Sequence, residues 1–186
     1  NIALKTRENT NLNKITLIGA AVGDYYDLEG LTKALESEGF QIATPSLRID
    51  SLSRETLETL KKSGLKSITI APESISTLRE RINKSISDEK IFSVIKNAVD
   101  LDFNIKLYFL IGIPYESKED IEELANYIEK IANMHKNRNY IKFSINPVIP
   151  KPQTPLQWEV YNFKEIKSKT RYLKKKLRKY NVKFES

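Results

Sequence analysis

Hydrophobic and polar residues follow one another along this chain in blocks that predict strands and helices in turn. Runs of β-forming residues begin near positions 15, 41, 67, 104 and 140, at intervals of 26 to 37 residues. Each interval contains apolar residues at helical spacing. Strands that alternate with helices in this way predict right-handed βαβ crossovers and a parallel sheet, open or curved into a barrel. We therefore expect an α/β fold with five strands and about six helices.

Residues that cap or terminate helices mark several of the predicted ends. Gly39 and Gly64 are placed to close the first and second helices. The third interval is longer because a short turn of helix around Leu78 and Ile82 precedes a longer helix, which Ser87 is placed to cap.

The stretch from Ile105 to Leu124 is the most informative part of the sequence. It predicts a strand, a tight Gly/Pro turn and a helix, and Ser117 with Asp120 three places later has the spacing of a capping box. Glu116 lies in the short loop between the strand and the helix. Parallel α/β proteins place their chemistry at the carboxyl ends of strands, so this loop is a candidate site.

The composition is typical of one soluble globular domain. The 186 residues are 40% hydrophobic and 30% charged, and a chain of this length buries about 70% of its unfolded surface. No apolar run approaches the roughly 18 residues of a membrane helix, and the polar N-terminus has no signal-peptide core, so we expect a cytoplasmic protein without a membrane partner. Since the first residue is Asn1, we expect the chain to be part of a longer protein. The abundance of Lys, Glu and Ile with no Cys resembles thermophile usage.

The chain has no cysteine, and His135 is its only histidine. Disulfides and thiolate-bound metals or clusters are therefore excluded for these residues, and a histidine metal site or a Ser-His triad has too few members. His135 follows a predicted helix and precedes a polar loop, so we interpret it as a surface residue. We predict no metal ligand in this chain.

Positive charge is concentrated near the C-terminus. From Lys164 to Lys183 there are ten Lys and Arg against one Glu, whereas the rest of the chain carries 21 basic and 23 acidic residues. Apolar residues at helical spacing predict one amphipathic helix over 164–183. Its basic face could bind the phosphates of RNA, or it could be the solvated side of an outer helix. Because no exposed aromatic residues interrupt the cations, the sequence favours the solvated helix.

Four segments resemble, in order, the strand ends of radical S-adenosylmethionine enzymes, most closely the archaeal and bacterial members often carried beside a cobalamin-binding domain. These segments are PSLRIDSLS (45–53), ITIAPES (68–74), LYFLIGIPYES (107–117) and INPVIPKPQTPLQW (145–158). The resemblance runs from about Ile15 to Trp158. It implies a partial (βα) barrel of the TIM type in which a CxxxCxxC loop after the first strand holds a [4Fe-4S] cluster. That loop is absent here, so we expect residues 1–186 to form part of one such barrel, truncated at its N-terminal strand and inactive alone.

The resemblance also implies contacts to S-adenosylmethionine at several strand ends. The backbone at the first strand end would bind the methionine amino group, a polar pair after the third would face the ribose or methionine part, and the last two strand ends would pack against adenine. In that order, these residues are Gly19 and Ala20; Glu73 and Ser74; Gly112, Ile113 and Pro114; and Asn146 and Pro147.

Two positions depart from the pattern of the family, and a third has two interpretations. Asp24 does not align with the carboxylate that the family has after its second strand, and Ile75 stands where the family commonly has glycine, although a branched residue does not easily adopt a positive φ. Arg48 is a charged residue in what reads as an apolar strand. It would either bind a carboxylate of the ligand or form an ion pair with a neighbour such as Glu73.

The resemblance implies an enzyme in which a reduced cluster cleaves S-adenosylmethionine to a 5′-deoxyadenosyl radical that takes hydrogen from an unidentified substrate. The reaction could be methylation, methylthiolation or a rearrangement. A non-catalytic RNA- or protein-interaction module that uses residues 164–183 is the alternative, and a phosphate-binding barrel ranks last because no Gly-rich loop is present. With the first strand missing, we also expect self-association through the bare edge at Ile15 to Ala20.

Overall fold

The chain folds into parallel strands and the helices that connect them. The computed structural model describes residues 2–19, 22–44, 47–137 and 139–184. The strands of these residues are β1 (Lys14–Thr16), β2 (Gln41–Ala43), β3 (Ser67–Glu73), β4 (Asn104–Ile111), β5 (Ile141–Pro147) and β6 (Val182–Phe184). The α-helices are α1 (Ile2–Thr10), α2 (Leu28–Ser37), α3 (Arg54–Lys62), α4 (Ser76–Arg81), α5 (Asp88–Asp100), α6 (Lys118–Ala132) and α7 (Phe163–Lys176).

Every strand pair is parallel, which confirms the predicted α/β class. One sheet has the order β3-β4-β5-β6, and β1 pairs with β2 in a second, smaller sheet. The backbone N–H of Leu47 donates to the carbonyl of Thr69, so the segment after β2 bonds to β3. The fold matches the partial barrel that the sequence predicts.

Strict alternation along β4 explains how the larger sheet buries one face. Ile105, Leu107, Phe109 and Ile111 are at most 1% exposed, whereas the residues between them are half-buried. Apolar side chains of α5 and α6 belong to the same buried cluster. Burying residues of this size contributes about 1.5 to 3 kcal/mol each, so this layer supplies much of the stability that holds the strand ends in place.

Local signals in the sequence correctly locate most helix ends. Ser117 and Asp120 form the reciprocal capping box at the start of α6, and the Ser87 side chain accepts from the Lys90 N–H at the start of α5. Gly39 and Gly64 adopt left-handed backbone conformations, with φ of 77° and 91°, after α2 and α3. Glycine takes this conformation without the steric cost of a Cβ.

Two parts of the fold differ from the prediction. Residues 2–10 form α1, which the sequence did not predict. None of its residues is buried, so the helix has no apolar face that would appear as a pattern in the sequence. At the other end, α7 stops at Lys176 instead of continuing to Lys183, and β6 adds a further strand beside β5. Leu177 and Tyr180 continue the helical spacing and are buried, which concealed this change of structure. Among the described residues, no helix is both long and apolar enough to cross a bilayer.

Candidate functional site

A cleft of about 370 Å³ opens beyond the carboxyl ends of β4 and β5. One wall is the β4–α6 loop, residues 112–116, and the other is formed by residues 158–162 and the first turns of α7. Val148 and Pro150, which follow β5, also line it. Its volume lies within the range of small-molecule sites.

The backbone of the β4–α6 loop is shaped by two left-handed residues. Gly112 has φ of 80°, and a Cβ at this position would lie 3.3 Å from the Ile166 side chain of α7. Tyr115 has φ of 62° although it carries a large side chain, which is 87% exposed. Left-handed backbone in a residue other than glycine costs free energy and is found at functional sites more often than elsewhere.

Glu116 is the buried carboxylate of this cleft, and its side chain is fully shielded from solvent. Its Oε2 accepts from the Gly112 N–H at 2.7 Å and lies 2.9 Å from Lys169 Nζ. Within the described part of the chain, Oε1 has no hydrogen-bond partner. Burial raises the pKa of Glu116, and the bonds from Lys169 and Gly112 oppose this effect without cancelling it.

Lys169 joins α7 to the β4–α6 loop. Its ammonium donates to the Glu116 backbone carbonyl at 3.0 Å and lies 2.6 Å from Glu165 Oε1. Burial lowers the pKa of Lys169, but the hydrogen bonds to Glu165 and Glu116 outweigh burial and leave that pKa raised. Sequence reasoning missed this role because Lys169 is one of ten basic residues in its region; its place on the apolar side of α7, between Ile166 and Leu173, was the available signal.

The outer rim of the cleft is aromatic and exposed. Trp158 and Val160 are each 87% exposed, and Tyr161 is 41% exposed. Large apolar side chains are usually buried in the core. A group of them exposed at the surface therefore indicates a place where a ligand or a partner binds. Pro150, in the loop that precedes this rim, also lines the cleft.

At the end of β3, Glu73 and Ser74 lie beside the cleft-forming strands. Glu73 pairs in register with Phe109 of β4, and its carboxylate lies 2.8 Å from Lys84 Nζ. Ser74 is fully buried, and its hydroxyl has no partner among the described residues. The left-handed residue of this turn is Glu73 itself, with φ of 69°, whereas Ile75 has φ of −68°. The branched side chain of Ile75 is therefore accommodated without strain.

Arg48 requires a correction. It does not lie in a strand, because β2 ends at Ala43, and its side chain is 57% exposed. The guanidinium lies 3.2 Å from Asp24 and 3.4 Å from Asp50. The ion-pair interpretation therefore describes Arg48, but its partners are these aspartates and not Glu73.

The remaining predicted contacts fall in two places. Asn146 and Pro147 pair in register with Leu110 and Ile111, so they lie directly beside the strand end that leads into Gly112, Ile113 and Pro114. Gly19, by contrast, lies three residues beyond β1 in the smaller sheet. Ala20 lies outside the described residues. The structure thus brings together the residues that follow β3, β4 and β5.

The donor set of these residues suits an organic ligand and not a metal cluster. No group of His, Asp and Glu side chains in the described ranges could hold a metal ion, and the sequence contains no cysteine. In contrast, two buried polar oxygens, Ser74 Oγ and Glu116 Oε1, are unpaired. Buried polar atoms normally have partners, so the unpaired oxygen of Glu116, a residue that lines the cleft, indicates a place for a ligand's polar group.

Comparison with known proteins gives consistent results. A family model described as the radical SAM superfamily matches residues 1–128. An uncharacterized protein of Methanocaldococcus jannaschii is 39% identical over 180 residues, covering 94% of this chain and 38% of that protein. An uncharacterized methyltransferase of Pyrococcus horikoshii is 27% identical over 127 residues, covering 67% of this chain and 26% of that protein. The chain thus spans well under half the length of these relatives.

Among solved structures, coproporphyrinogen III oxidase of Escherichia coli, described as a radical SAM enzyme, superposes with a TM-score of 0.68 at 12% identity. The match covers 95% of this chain and 43% of that one. At this identity the likeness establishes the shared fold alone.

Proposed function

Since this chain belongs to the radical SAM superfamily, we propose that it forms the S-adenosylmethionine-binding barrel of an enzyme that modifies an unidentified substrate. The observation that carries the proposal is the cleft beside Gly112, where the ends of β4 and β5 meet an unpaired buried carboxylate oxygen. A [4Fe-4S] cluster would need cysteines that residues 1–186 do not contain, and when bound it would supply the electron for reductive cleavage of S-adenosylmethionine.

The residues of this chain bind and orient the cofactor. Gly112 lets the adenine approach the backbone, and Glu116 Oε1, which lines the cleft, accepts from an amino group of the ligand. Asn146 and Pro147 flank the ring from the neighbouring strand. Holding the cofactor in one geometry reduces the entropy lost on the way to the transition state.

The polar end of the cofactor lies against the end of β3. The Glu73 carboxylate accepts hydrogen bonds from ribose hydroxyls or from the methionine ammonium. The buried Ser74 hydroxyl supplies a second polar contact. Lys84 Nζ, 2.8 Å from Glu73 Oε1, holds this carboxylate in place.

For the reaction class we propose methyl transfer. The supporting observation is the relative from Pyrococcus horikoshii, described as a methyltransferase, which covers 67% of this chain. Turnover of S-adenosylmethionine to S-adenosylhomocysteine would support methyl transfer, whereas 5′-deoxyadenosine as the sole product would contradict it.

The substitution Glu73→Gln tests the cofactor site. In a preparation that carries the cluster, we expect S-adenosylmethionine binding to weaken by about 1 to 3 kcal/mol, the usual loss for a charged hydrogen bond. Binding is measured by calorimetry and stability by thermal unfolding. The matched control is Glu80→Gln, an exposed carboxylate on α4. Unchanged affinity together with a large fall in melting temperature would show that Glu73 is structural.

A further inference from the structure

Most of the exposed cations of α7 lie on one side of the helix. At 100° per residue, Lys164, Lys167, Arg171, Lys174 and Lys175 fall within about one third of the circumference, and Arg178 lies two residues beyond the end of α7. We call these six residues the basic strip. All six are exposed. At 1.5 Å per residue, the part of the strip on α7 is about 17 Å long and carries five cations over roughly three helical turns.

The basic strip is separate from the cations that stabilise the fold. Lys169, Lys176 and Lys179 lie near Glu116, Glu122 and Glu129, which hold α7 and the following turn to α6 and the cleft loop. In contrast, none of the six strip residues forms an ion pair with a described residue, and four of them also have no contact with a described aromatic ring. These four are Lys164, Arg171, Lys175 and Arg178. Their charge is therefore available to an anionic partner.

Exposed aromatic rings extend the basic strip at its N-terminal end. Phe163, the first residue of α7, is 63% exposed, and Lys167 Nζ lies 6.0 Å from its ring centre, so both belong to one face. Trp158, 87% exposed on the rim of the cleft, precedes it by five residues. The sequence pattern had indicated cations without aromatics, and the structure places the Phe163 ring beside Lys167 of the strip.

A membrane surface does not fit this arrangement. An interfacial helix inserts its apolar face into the lipid, but the apolar face of α7 is occupied, since Leu173 and Leu177 are at most 3% exposed within the protein core. A surface that combines exposed cations with exposed rings at one end is instead the combination that binds unstacked bases and their phosphates.

We infer that the basic strip, with Phe163 and Trp158, binds single-stranded nucleic acid. Phosphates contact the exposed cations of α7, and one or two bases stack on the two rings at the mouth of the cleft. Duplexes bind more weakly because their bases are already stacked and cannot reach the rings. This inference does not depend on the proposed cofactor or reaction.

The test uses this chain and a fluorescently labelled oligouridine about 12 nucleotides long, a length suited to one such site, with binding followed by anisotropy at several salt concentrations. The test variant is Lys164→Glu/Arg171→Glu/Lys175→Glu. The control, Lys62→Glu/Lys66→Glu/Lys96→Glu, makes the same charge change at exposed lysines elsewhere. We expect the test variant to lose at least tenfold in affinity and its salt slope to fall by about 2, since each phosphate contact on a single strand contributes about 0.7. The control should bind within threefold of the original chain.

The rings are tested separately with Trp158→Ala, which should weaken oligouridine binding by roughly fivefold or more while leaving the salt slope unchanged. Oligothymidine and a duplex of the same length distinguish the type of nucleic acid, and polyglutamate serves as an acidic polymer without bases. Equal losses in the test and control variants, or polyglutamate that competes as well as oligouridine, would overturn the inference. Preferred binding of the duplex would overturn it as well.

Discussion

Removing the ammonium of Lys169 is the sharpest test of how the cleft is held together. In Lys169→Met, the Glu116 carboxylate stays buried, and the Gly112 N–H, at 2.7 Å, is its remaining hydrogen-bond donor among the described residues. Breaking a buried pair by removing one partner costs about 3 to 5 kcal/mol, because a charge is left without compensation. For a chain of this size, 3 kcal/mol corresponds to a fall in melting temperature of about 6 to 12 °C.

The dependence on pH has a definite sign. The pKa of Glu116 is raised by burial in the folded protein, so the stability linked to its protonated form is present below its unfolded pKa and lost as pH rises through the folded pKa. Without Lys169 the folded pKa rises further. The stability deficit of the variant should therefore grow as the pH rises above the ordinary glutamate pKa and through the raised pKa of Glu116, and it should shrink again on acidification.

Urea unfolding followed by circular dichroism measures this deficit. In Glu116→Gln/Lys169→Met the buried charge is absent, so we expect the double variant to regain more than half of the lost stability. Lys175→Met, an exposed change on the same helix, should stay within about 0.5 kcal/mol of the original chain. A single variant as stable as the original, or a double variant less stable than the single one, would refute the reasoning.

Two further predictions concern the other end of the chain. The Lys33 ammonium, 2.8 Å from Glu29, and the Ser53 hydroxyl lower the pKa of Glu29 to about 2. The stability linked to Glu29 is therefore present above its unfolded pKa and lost as pH falls toward 2. An NMR titration of this carboxyl with an ordinary glutamate midpoint would contradict the prediction. Within the described residues β1 pairs with β2 alone, so its second edge should promote self-association. Light scattering should show a mass that rises with concentration, and a strict monomer throughout would count against this.

The parts of the fold that depend on neighbouring residues in the sequence could be predicted. The β4–α6 unit carried its own strand pattern, turn and capping box, and the structure has all three. The end of α7 could not be predicted in this way. Leu177 and Tyr180 are buried by contacts with the rest of the fold, and the same spacing suits either a longer helix or a turn that leads into β6.

The candidate site also combines residues that the local sequence predicts with residues that only the packing of the fold selects. Glu116 was found from its place after a strand, because chain order alone puts it at a carboxyl end, whereas Gly112 was found from the resemblance of its segment to the radical S-adenosylmethionine enzymes. The partner of Glu116 is Lys169, 53 residues away, and only the packing of α7 against the loop selects it from ten cations. The partners of Arg48 were also misjudged, because β2 ends early at Ala43 and leaves Arg48 beside Asp24.

The left-handed backbone of Glu73 and Tyr115 gives protein engineers two positions at which a substitution could raise stability. Glu73 ends β3 and Tyr115 lies in the β4–α6 loop, and each carries a steric cost of about 1 to 2 kcal/mol that glycine would avoid. Glycine at position 73 would also delete a proposed cofactor contact, whereas glycine at position 115 would remove only an exposed ring from the cleft. A thermostable scaffold is therefore best sought at Tyr115, and Glu73 marks where gains in robustness would come at the expense of ligand affinity.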